Sequence, residues 1–264
     1  MIRWQAEAIW EAVHPALPDF SVEILPTIDS TNTELMRRAR AGRLEPVLLV
    51  AEQQTAGRGR LGRNWHSQAG ASLTFSLGLP LSPPDWSGLS LAVGASVAES
   101  LHPDVRLKWP NDLWLGGPGG DRKLGGILIE TANVGEQRYV VIGIGINTEP
   151  RDGAGLSTPP ACLQDLDATL DAPGALLKIA PALVQTVLAF GQLGFLPFQA
   201  RFNARDILNG RAVAVSGGQG ALVEGTAFGV GEDGALLVHT ALGMKQITSS
   251  EVSVRPQTPG AREG

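Results

Sequence analysis

Hydrophobic residues recur along the chain with two periods, one typical of helices and one typical of strands. Leu89, Ala92, Val93, Val97 and Leu101 form a stripe at helical spacing, which predicts a helix with one face on a core. By the same criterion, helices are predicted at residues 3–13, 31–39, 89–101, 176–188 and 198–208. Apolar or alternating runs predict strands at residues 22–28, 47–51, 71–79, 105–109, 113–115, 123–131 and 139–147.

The pattern changes after Gly210. Short apolar runs separated by glycine-rich turns predict five strands, at residues 211–215, 221–229, 235–239, 245–247 and 252–254. Turn signals at that spacing are typical of a small β-barrel. We therefore expect one domain over residues 1–209, a second over residues 210–256, and a disordered polar tail over residues 257–264.

Residues 53–66 join two predicted strands and hold three glycines and three arginines, which are Gly57, Gly59, Gly62, Arg58, Arg60 and Arg63. Glycine lets a ligand approach the backbone closely, and arginine offers planar charged donors to carboxylates and phosphates. The loop is expected to be mobile when empty and to order around an anion. Gly57-x-Gly59-x-x-Gly62 also fits a dinucleotide fingerprint, but that motif must open a helix, whereas a strand follows here. An arginine-rich hairpin without a ligand remains an alternative.

Three other stretches carry candidate chemistry. At the start of the second predicted helix, Thr31 and Glu34 form a capping-box pattern, and Ser30-Thr31-Asn32 leaves polar groups spare for a ligand. Asp112 follows a strand-breaking proline and is either a turn residue or a Mg²⁺ ligand. Lys123 stands beside a glycine pair and could counter a carboxylate or a phosphate.

Composition narrows the function. The net charge of −5 argues against general affinity for nucleic acid, which depends on neutralising phosphates. The single cysteine, Cys162, excludes an intrachain disulfide, and no zinc-ligand spacing is present. No signal-like segment is seen and no apolar run is long enough to span a bilayer, so a cytoplasmic location with no membrane contact is expected.

Lys123 and the loop arginines together fit a reaction in which a carboxylate attacks the α-phosphate of ATP. Charge develops on the phosphoryl oxygens in such a reaction, and fixed cations stabilise it. The chain has no Walker A motif, so any nucleotide is held by another route.

Four motifs in order resemble those of biotin–protein ligases. They are Gly57-Arg58-Gly59-Arg60-x-Gly62-Arg63-x-Trp65, Lys108-Trp109-Pro110-Asn111-Asp112, Lys123-Leu124-Gly125-Gly126-Ile127-Leu128-x-Glu130 and Gly143-Ile144-Gly145-Ile146-Asn147. Each motif is weak alone, but the ordered set, with Ser30-Thr31-Asn32 before it, covers residues 29–147 and is specific. The small C-terminal β-domain also fits this family.

The resemblance implies an α+β fold, with a mixed sheet and packed helices related to class II aminoacyl-tRNA synthetases, followed by an SH3-like barrel. It implies that biotin and MgATP give biotinyl-5′-AMP, and that a lysine of the biotin carboxyl carrier protein of acetyl-CoA carboxylase then takes the biotinyl group. The implied biotin-binding residues are Ser30, Thr31, Asn32, Gln54, Gly57, Arg58, Gly59, Arg60, Lys123 and Gly126. The implied nucleotide-binding residues are Arg58, Arg60, Arg63, Trp65, Asn111, Lys123 and Asn147. Lys123, Arg58 and Arg60 are the implied catalytic residues, and Asp112 is the implied Mg²⁺ ligand.

Two alternatives stay open. A ligase for lipoate or octanoate is the nearer one, and a non-enzymatic nucleic-acid-binding module is the other. Only about one helix is predicted before Ser30, so the resemblance is to the monofunctional type without an N-terminal DNA-binding domain. A homodimer is compatible with the resemblance.

Overall fold

The computed structural model describes residues 2–117, 120–217, 222–248 and 252–256. Its helices are α1 (Ala6–Val13), α2 (Thr31–Arg40), α3 (Leu89–Leu101), α4 (Ala172–Leu193) and α5 (Leu196–Asn203). The strands of the first sheet are β1 (Ser21–Ile28), β2 (Val47–Gln54), β3 (Ser72–Pro80), β4 (Val105–Lys108), β5 (Asp112–Leu115), β6 (Arg122–Val134) and β7 (Gln137–Asn147). Those of the second are β8 (Ala212–Gly217), β9 (Val223–Val230), β10 (Leu236–Thr240), β11 (Gly243–Ile247) and β12 (Val252–Pro256). The tail predicted at residues 257–264 lies outside the described residues.

The first sheet has the strand order β1-β2-β3-β7-β6-β5-β4. β1 and β2 are parallel and the remaining neighbours are antiparallel, so the predicted mixed sheet is confirmed. This register brings Thr74, Gly145, Gly126 and Asp112 from four strands into one cross-strand row. Residues from sequence-distant motifs therefore meet on one face of the sheet.

Helices cover both faces of this sheet. α3 and α4 pack together over β3, β4 and β6, and their apolar side chains fill the larger core. α2 packs on the other face and buries Leu35 and Met36 against Tyr139 and Val141. By length and composition alone α4 could cross a membrane, but half of its most apolar window is buried inside the protein. We therefore interpret α4 as a helix of the protein core.

The second sheet is antiparallel, in the order β11-β10-β9-β8-β12, and each of its strands overlaps a predicted one. Hydrogen bonds and an ion pair connect the second sheet to the rest of the chain. Trp109 Nε1 donates to the Gly234 carbonyl at 3.1 Å, Gln199 Nε2 donates to the Val230 carbonyl at 2.8 Å, and Arg211 pairs with Asp121 at 2.7 Å. The second sheet is thereby fixed beside β4–β6.

Two local predictions were wrong. The residue that caps α2 is Ser30, whose Oγ accepts from the Thr33 backbone N–H at 3.4 Å, so Thr31 and Glu34 form no capping box. Glu34 instead pairs with Arg38, and that pairing lowers the pKa of its carboxyl. The helix predicted at 198–208 ends at Asn203, because residues 205–207 lie along β4 and exchange backbone bonds with Leu107.

Candidate functional site

A cavity of about 690 Å³ crosses one face of the large sheet. β2, β3, β5, β6 and β7 contribute to its walls, together with the loop after β2, the loop after β7 and the last described strand, β12. Every predicted site residue except Gly57 lines it. Those residues are Ser30, Thr31, Asn32, Gln54, Arg58, Gly59, Arg60, Arg63, Trp65, Asn111, Asp112, Lys123, Gly126 and Asn147.

One end of the cavity is lined by uncharged polar side chains, and the Arg58–Glu130 ion pair lies beside them. Ser30, Thr31, Asn32 and Gln54 are each at least nine-tenths buried there. The Thr31 backbone N–H donates to Gln54 Oε1 at 2.7 Å, and this bond ties the first turn of α2 to the end of β2. Uncharged donors and acceptors in fixed positions suit a ligand such as an amide or urea.

A glycine in β7 makes room for Asn32. A Cβ added at Gly143 would lie 2.1 Å from Asn32 Oδ1, so no other residue fits there while Asn32 keeps its place. Asn32 Nδ2 donates to the Leu128 carbonyl at 3.2 Å and to Glu130 Oε2 at 2.9 Å. The space beside Gly143 is therefore occupied by the protein's own Asn32 side chain.

The glycine–arginine loop folds as a tight hairpin over the cavity. Gly59 N donates to the Arg63 carbonyl at 2.7 Å, and Trp65 N donates to the Gly57 carbonyl at 2.9 Å. A Cβ on Gly57 would meet the Trp65 carbonyl at 2.4 Å, so Gly57 serves hairpin closure and does not line the cavity.

Two side chains of the hairpin reach the sheet. Arg58 Nη2 pairs with both carboxylate oxygens of Glu130, at 2.8 and 2.9 Å. The Trp65 indole lies over β7, where a Cβ on Gly145 would approach it to 2.5 Å. Trp65 Nε1 is buried and has no hydrogen-bond partner among the described residues, so a donor is available at this wall.

The other end of the cavity is cationic. Lys123 Nζ donates to Asp112 Oδ1 at 2.6 Å, and Lys108 Nζ lies 5.0 Å from the centre of the Trp114 ring. Seven lysines and arginines besides Lys123 line the cavity, namely Arg58, Arg60, Arg63, Lys108, Arg151, Arg211 and Arg255. Of these, Arg58 lies at the Asn32 end, where it pairs with Glu130. Two acidic residues, Asp112 and Asp121, line it with them. The excess of basic over acidic side chains favours an anionic ligand at this end.

Burial changes the titration of two of these cations. It lowers the pKa of Lys108, an effect that Lys123 and Arg63 reinforce and Asp112 opposes. Burial also lowers the pKa of Arg60. A desolvated cation interacts more strongly with an arriving anion, because the low local dielectric screens less.

Asn111 and Asn147 hold the backbone of the site. Asn111 Nδ2 donates to the Ile127 carbonyl at 2.8 Å. Asn147 Nδ2 donates to the Ala161 carbonyl at 2.9 Å, while its Oδ1 accepts from Arg151 Nη1 at 3.0 Å. Asn111 and Asn147 therefore border the cavity, and the amide nitrogen of each donates to a backbone carbonyl.

The metal prediction at Asp112 stays a prediction. Among the described residues, no group of three or more His, Cys, Asp or Glu side chains could hold a metal ion. One oxygen of Asp112 accepts from Lys123, and Lys108 lies close by. These residues do not complete an octahedral Mg²⁺ site by themselves, but Mg²⁺ is commonly bound through one or two carboxylates together with waters and substrate phosphates.

The sequence analysis missed several residues of the site. Lys108 and Trp114 were seen only as parts of a motif and a strand, and Glu130 only as a motif letter. Arg211 and Arg255 reach the cavity from the second sheet, and no local pattern marks that approach. Lys108 could have been found, since it is one of only four lysines and precedes a proline turn.

Comparisons with known proteins agree with this geometry. Residues 24–147 match the model of the biotin/lipoate A/B protein ligase family, and residues 208–255 match the model of the biotin protein ligase C terminal domain. The chain is 36% identical to the bifunctional ligase/repressor BirA of Salmonella typhimurium, over 93% of this chain and 78% of that protein. It is 33% identical to the biotin–[acetyl-CoA-carboxylase] ligase of Mycobacterium tuberculosis, over 81% of this chain and 82% of that protein.

A solved structure matches as well. The structure is that of biotin protein ligase from Aquifex aeolicus in complex with biotin and ATP. It superposes with a TM-score of 0.75 at 30% identity and covers 89% of this chain and 99% of that one.

Proposed function

Because the chain belongs to the biotin protein ligase family, it is an ATP-dependent biotin ligase, and we propose that its cavity binds biotin at the uncharged end and ATP at the cationic end. One observation carries this assignment: both ends open into a single cavity. A neutral ring system and a triphosphate can therefore lie end to end, with a carboxylate and the α-phosphate between them.

The uncharged end suits the ureido ring of biotin. That ring presents one carbonyl acceptor and two N–H donors, and the wall offers the side chains of Ser30, Thr31 and Gln54 in return. A lipoyl dithiolane ring has no such donors, so it would leave these buried polar groups unpaired, which is costly. The polar wall is our reason for preferring biotin to lipoate.

The first half-reaction joins the two substrates. A biotin carboxylate oxygen attacks the α-phosphorus of ATP, the bond from that phosphorus to the bridging oxygen breaks, and pyrophosphate leaves with its electrons. Lys123 is proposed to hold the carboxylate and then the α-phosphoryl oxygens, with Arg60 on the hairpin side. Their charges stabilise the developing phosphoryl charge, and the cavity holds the reacting atoms in line.

The second half-reaction transfers the biotinyl group. A lysine amine of the carrier protein attacks the carbonyl carbon of biotinyl-5′-AMP, the carbon–oxygen bond to phosphate breaks, and AMP leaves while the amine loses a proton. The acceptor proposed here is the biotin carboxyl carrier protein of acetyl-CoA carboxylase. No covalent bond to this chain is needed in either step.

Several narrower predictions go with this function. Mg²⁺ would arrive with ATP and be held mainly by phosphate oxygens, since the residues that the structure describes form no cluster of three or more metal-binding side chains. The domain limits at residue 209, the cytoplasmic location, the absence of nucleic-acid binding and a homodimer stay predictions.

Exchange of labelled pyrophosphate into ATP tests the first half-reaction. We expect exchange that depends on biotin and is not supported by lipoate or octanoate at equal concentration. Exchange driven by lipoate rather than biotin would favour the other acyl ligase. The blank replaces ATP with an analogue whose link between the α- and β-phosphorus cannot be cleaved.

A further inference from the structure

A serine hidden behind the uncharged end connects two of its wall residues. Ser76 in β3 is 0% exposed and does not line the cavity. Its Oγ nevertheless lies 2.6 Å from Thr31 Oγ1 and 2.7 Å from Asn32 Oδ1. The Ser76 hydroxyl has a single proton and can donate to only one of these two oxygens.

The orientation of Asn32 decides which one. Asn32 Nδ2 faces the Leu128 carbonyl and the Glu130 carboxylate, and both of these groups only accept hydrogen bonds. The amide nitrogen is therefore on that side, and Oδ1 faces Ser76. Since Oδ1 can only accept, the Ser76 proton is directed to Asn32.

The direction at Thr31 follows. The 2.6 Å contact is then a hydrogen bond only if the Thr31 hydroxyl donates to Ser76. This leaves Thr31 Oγ1 facing Gln54 Oε1 at 3.1 Å without a proton between them. The reverse arrangement would leave Ser76 Oγ facing Asn32 Oδ1 at 2.7 Å without a proton, and repulsion between two acceptors is stronger at that shorter distance.

We propose that Ser76 is a specificity-determining positioning residue that makes Thr31 an acceptor towards the ligand. Ser76 takes the Thr31 proton away from the cavity, so Thr31 Oγ1 offers only lone pairs and selects a ligand with an N–H at that point. Glu130 supports this role by fixing Asn32. The inference rests on the proposed function, because the ureido ring of biotin is the ligand that supplies the N–H.

Two isomeric biotin analogues provide the probe. Each is a cyclic carbamate in which one of the two ring N–H groups is replaced by oxygen. Dissociation constants for biotin and both analogues are measured by calorimetry on wild type and on Ser76→Ala. For wild type, at least one analogue should bind on the order of 10- to 100-fold more weakly than biotin, because two acceptors would face each other.

In Ser76→Ala the Thr31 hydroxyl loses its acceptor at 2.6 Å and keeps only Gln54 Oε1 at the longer distance of 3.1 Å, so it can rotate towards the ring oxygen. The preference for biotin over that analogue should then fall to roughly threefold or less. Ser76→Cys should give an intermediate preference, since a thiol is a weak donor and acceptor of similar size. It also provides a second variant if Ser76→Ala fails to fold.

Ser96→Ala is the matched control. Ser96 in α3 is buried, its hydroxyl has no partner among the described residues, and it does not line the cavity. The Ser96→Ala protein should prefer biotin over each analogue by the same factor as wild type. If Ser76→Ala weakens biotin and both carbamates by the same factor, Ser76 is merely structural and the proposal is overturned. A wild-type protein that does not bind biotin at all would refute the proposed function instead.

Discussion

At the scale of single residues, the site contains two ion pairs between neighbouring strands and loops. Lys123 and Asp112 form an ion pair inside the cavity at 2.6 Å. Arg58 and Glu130 form another across the hairpin. We expect an incoming carboxylate or phosphate to compete with Asp112 for Lys123.

The role of Lys123 can be tested by Lys123→Met, which removes the charge and keeps most of the apolar stem. Adenylation should fall on the order of 10²–10³ in single-turnover rate, because the lost interaction strengthens as phosphoryl charge develops. Transfer from supplied biotinyl-5′-AMP should suffer less, since the other cations of the cavity remain. Lys178→Met, at an exposed position on α4 outside the cavity, is the control. Adenylation within a fewfold of wild type would mean that Lys123 has no catalytic role.

A second residue-scale prediction concerns Gly143. A Cβ there would overlap Asn32 Oδ1, so Gly143→Ala should displace Asn32 and raise the KM for biotin by roughly tenfold or more, while the KM for ATP changes little. Steady-state kinetics with each substrate varied in turn measure this. Gly117→Ala, at a position with open space, should leave both constants unchanged. An equal rise in both constants would indicate general distortion instead.

At the scale of elements, the hairpin at residues 57–65 is a short loop over the cavity. Three backbone hydrogen bonds within it and the Arg58–Glu130 pair help to hold it, and Leu61 at its tip is exposed and has a left-handed φ of 56°. Such a segment opens more readily than the strands beneath it.

We therefore predict that hydrogen exchange at residues 57–65 slows when biotin or biotinyl-5′-AMP is bound. The ligand adds partners for the arginines and for the backbone, so local opening then costs more. Exchange in α3, which is buried in the core, should stay the same and is the internal control. Equal protection of the hairpin with and without ligand would contradict this prediction.

The sequence predicted elements better than it predicted contacts. Periodicity located α3 and β7 well because each buries a continuous apolar face. It could not show that Trp65 lies over Gly145, nor that Ser76 bonds Thr31, because both depend on strand register across the sheet. The motifs found the candidate residues, whereas pairing among them had to come from the fold.

At the scale of the whole molecule, the segment that joins the two sheets contains a half-buried acid, Asp206. Asp206 lies beside Leu107 at the outer strand β4, one of its oxygens accepts from Leu208 N at 2.9 Å, and the other is buried without a partner among the described residues. Burial raises the pKa of Asp206 to about 6. Its ionised form is therefore disfavoured in the folded protein.

This acid should make stability depend on pH. Because its folded pKa is raised above the unfolded value of 3.8, Asp206 contributes most stability below about pH 4 and loses that contribution as the pH rises through about 6. Asp206→Asn removes the charge, so it should raise the Tm at pH 7.5 by about 2–4 °C per kcal/mol recovered, and by less at pH 4.5.

Thermal unfolding at both pH values provides the measurement. Asp233→Asn is the control, because Asp233 makes the same kind of turn bond, to Ala235 N at 3.0 Å, at an exposed position. A Tm gain for Asp206→Asn that is the same at pH 4.5 and pH 7.5 would show that ionisation of Asp206 does not limit stability.

The reach of β12 into the cavity has a consequence for biosynthesis. Val254, Arg255 and Pro256 line the cavity, yet they follow Arg211, the cavity residue before them in sequence, by more than forty positions. Since domains fold as units while the chain emerges from the ribosome, the large sheet is complete well before this wall is in place. A nascent chain halted short of residue 254 is expected to have the uncharged end of the cavity but only part of the cationic wall. Translation would thus complete the cationic end last.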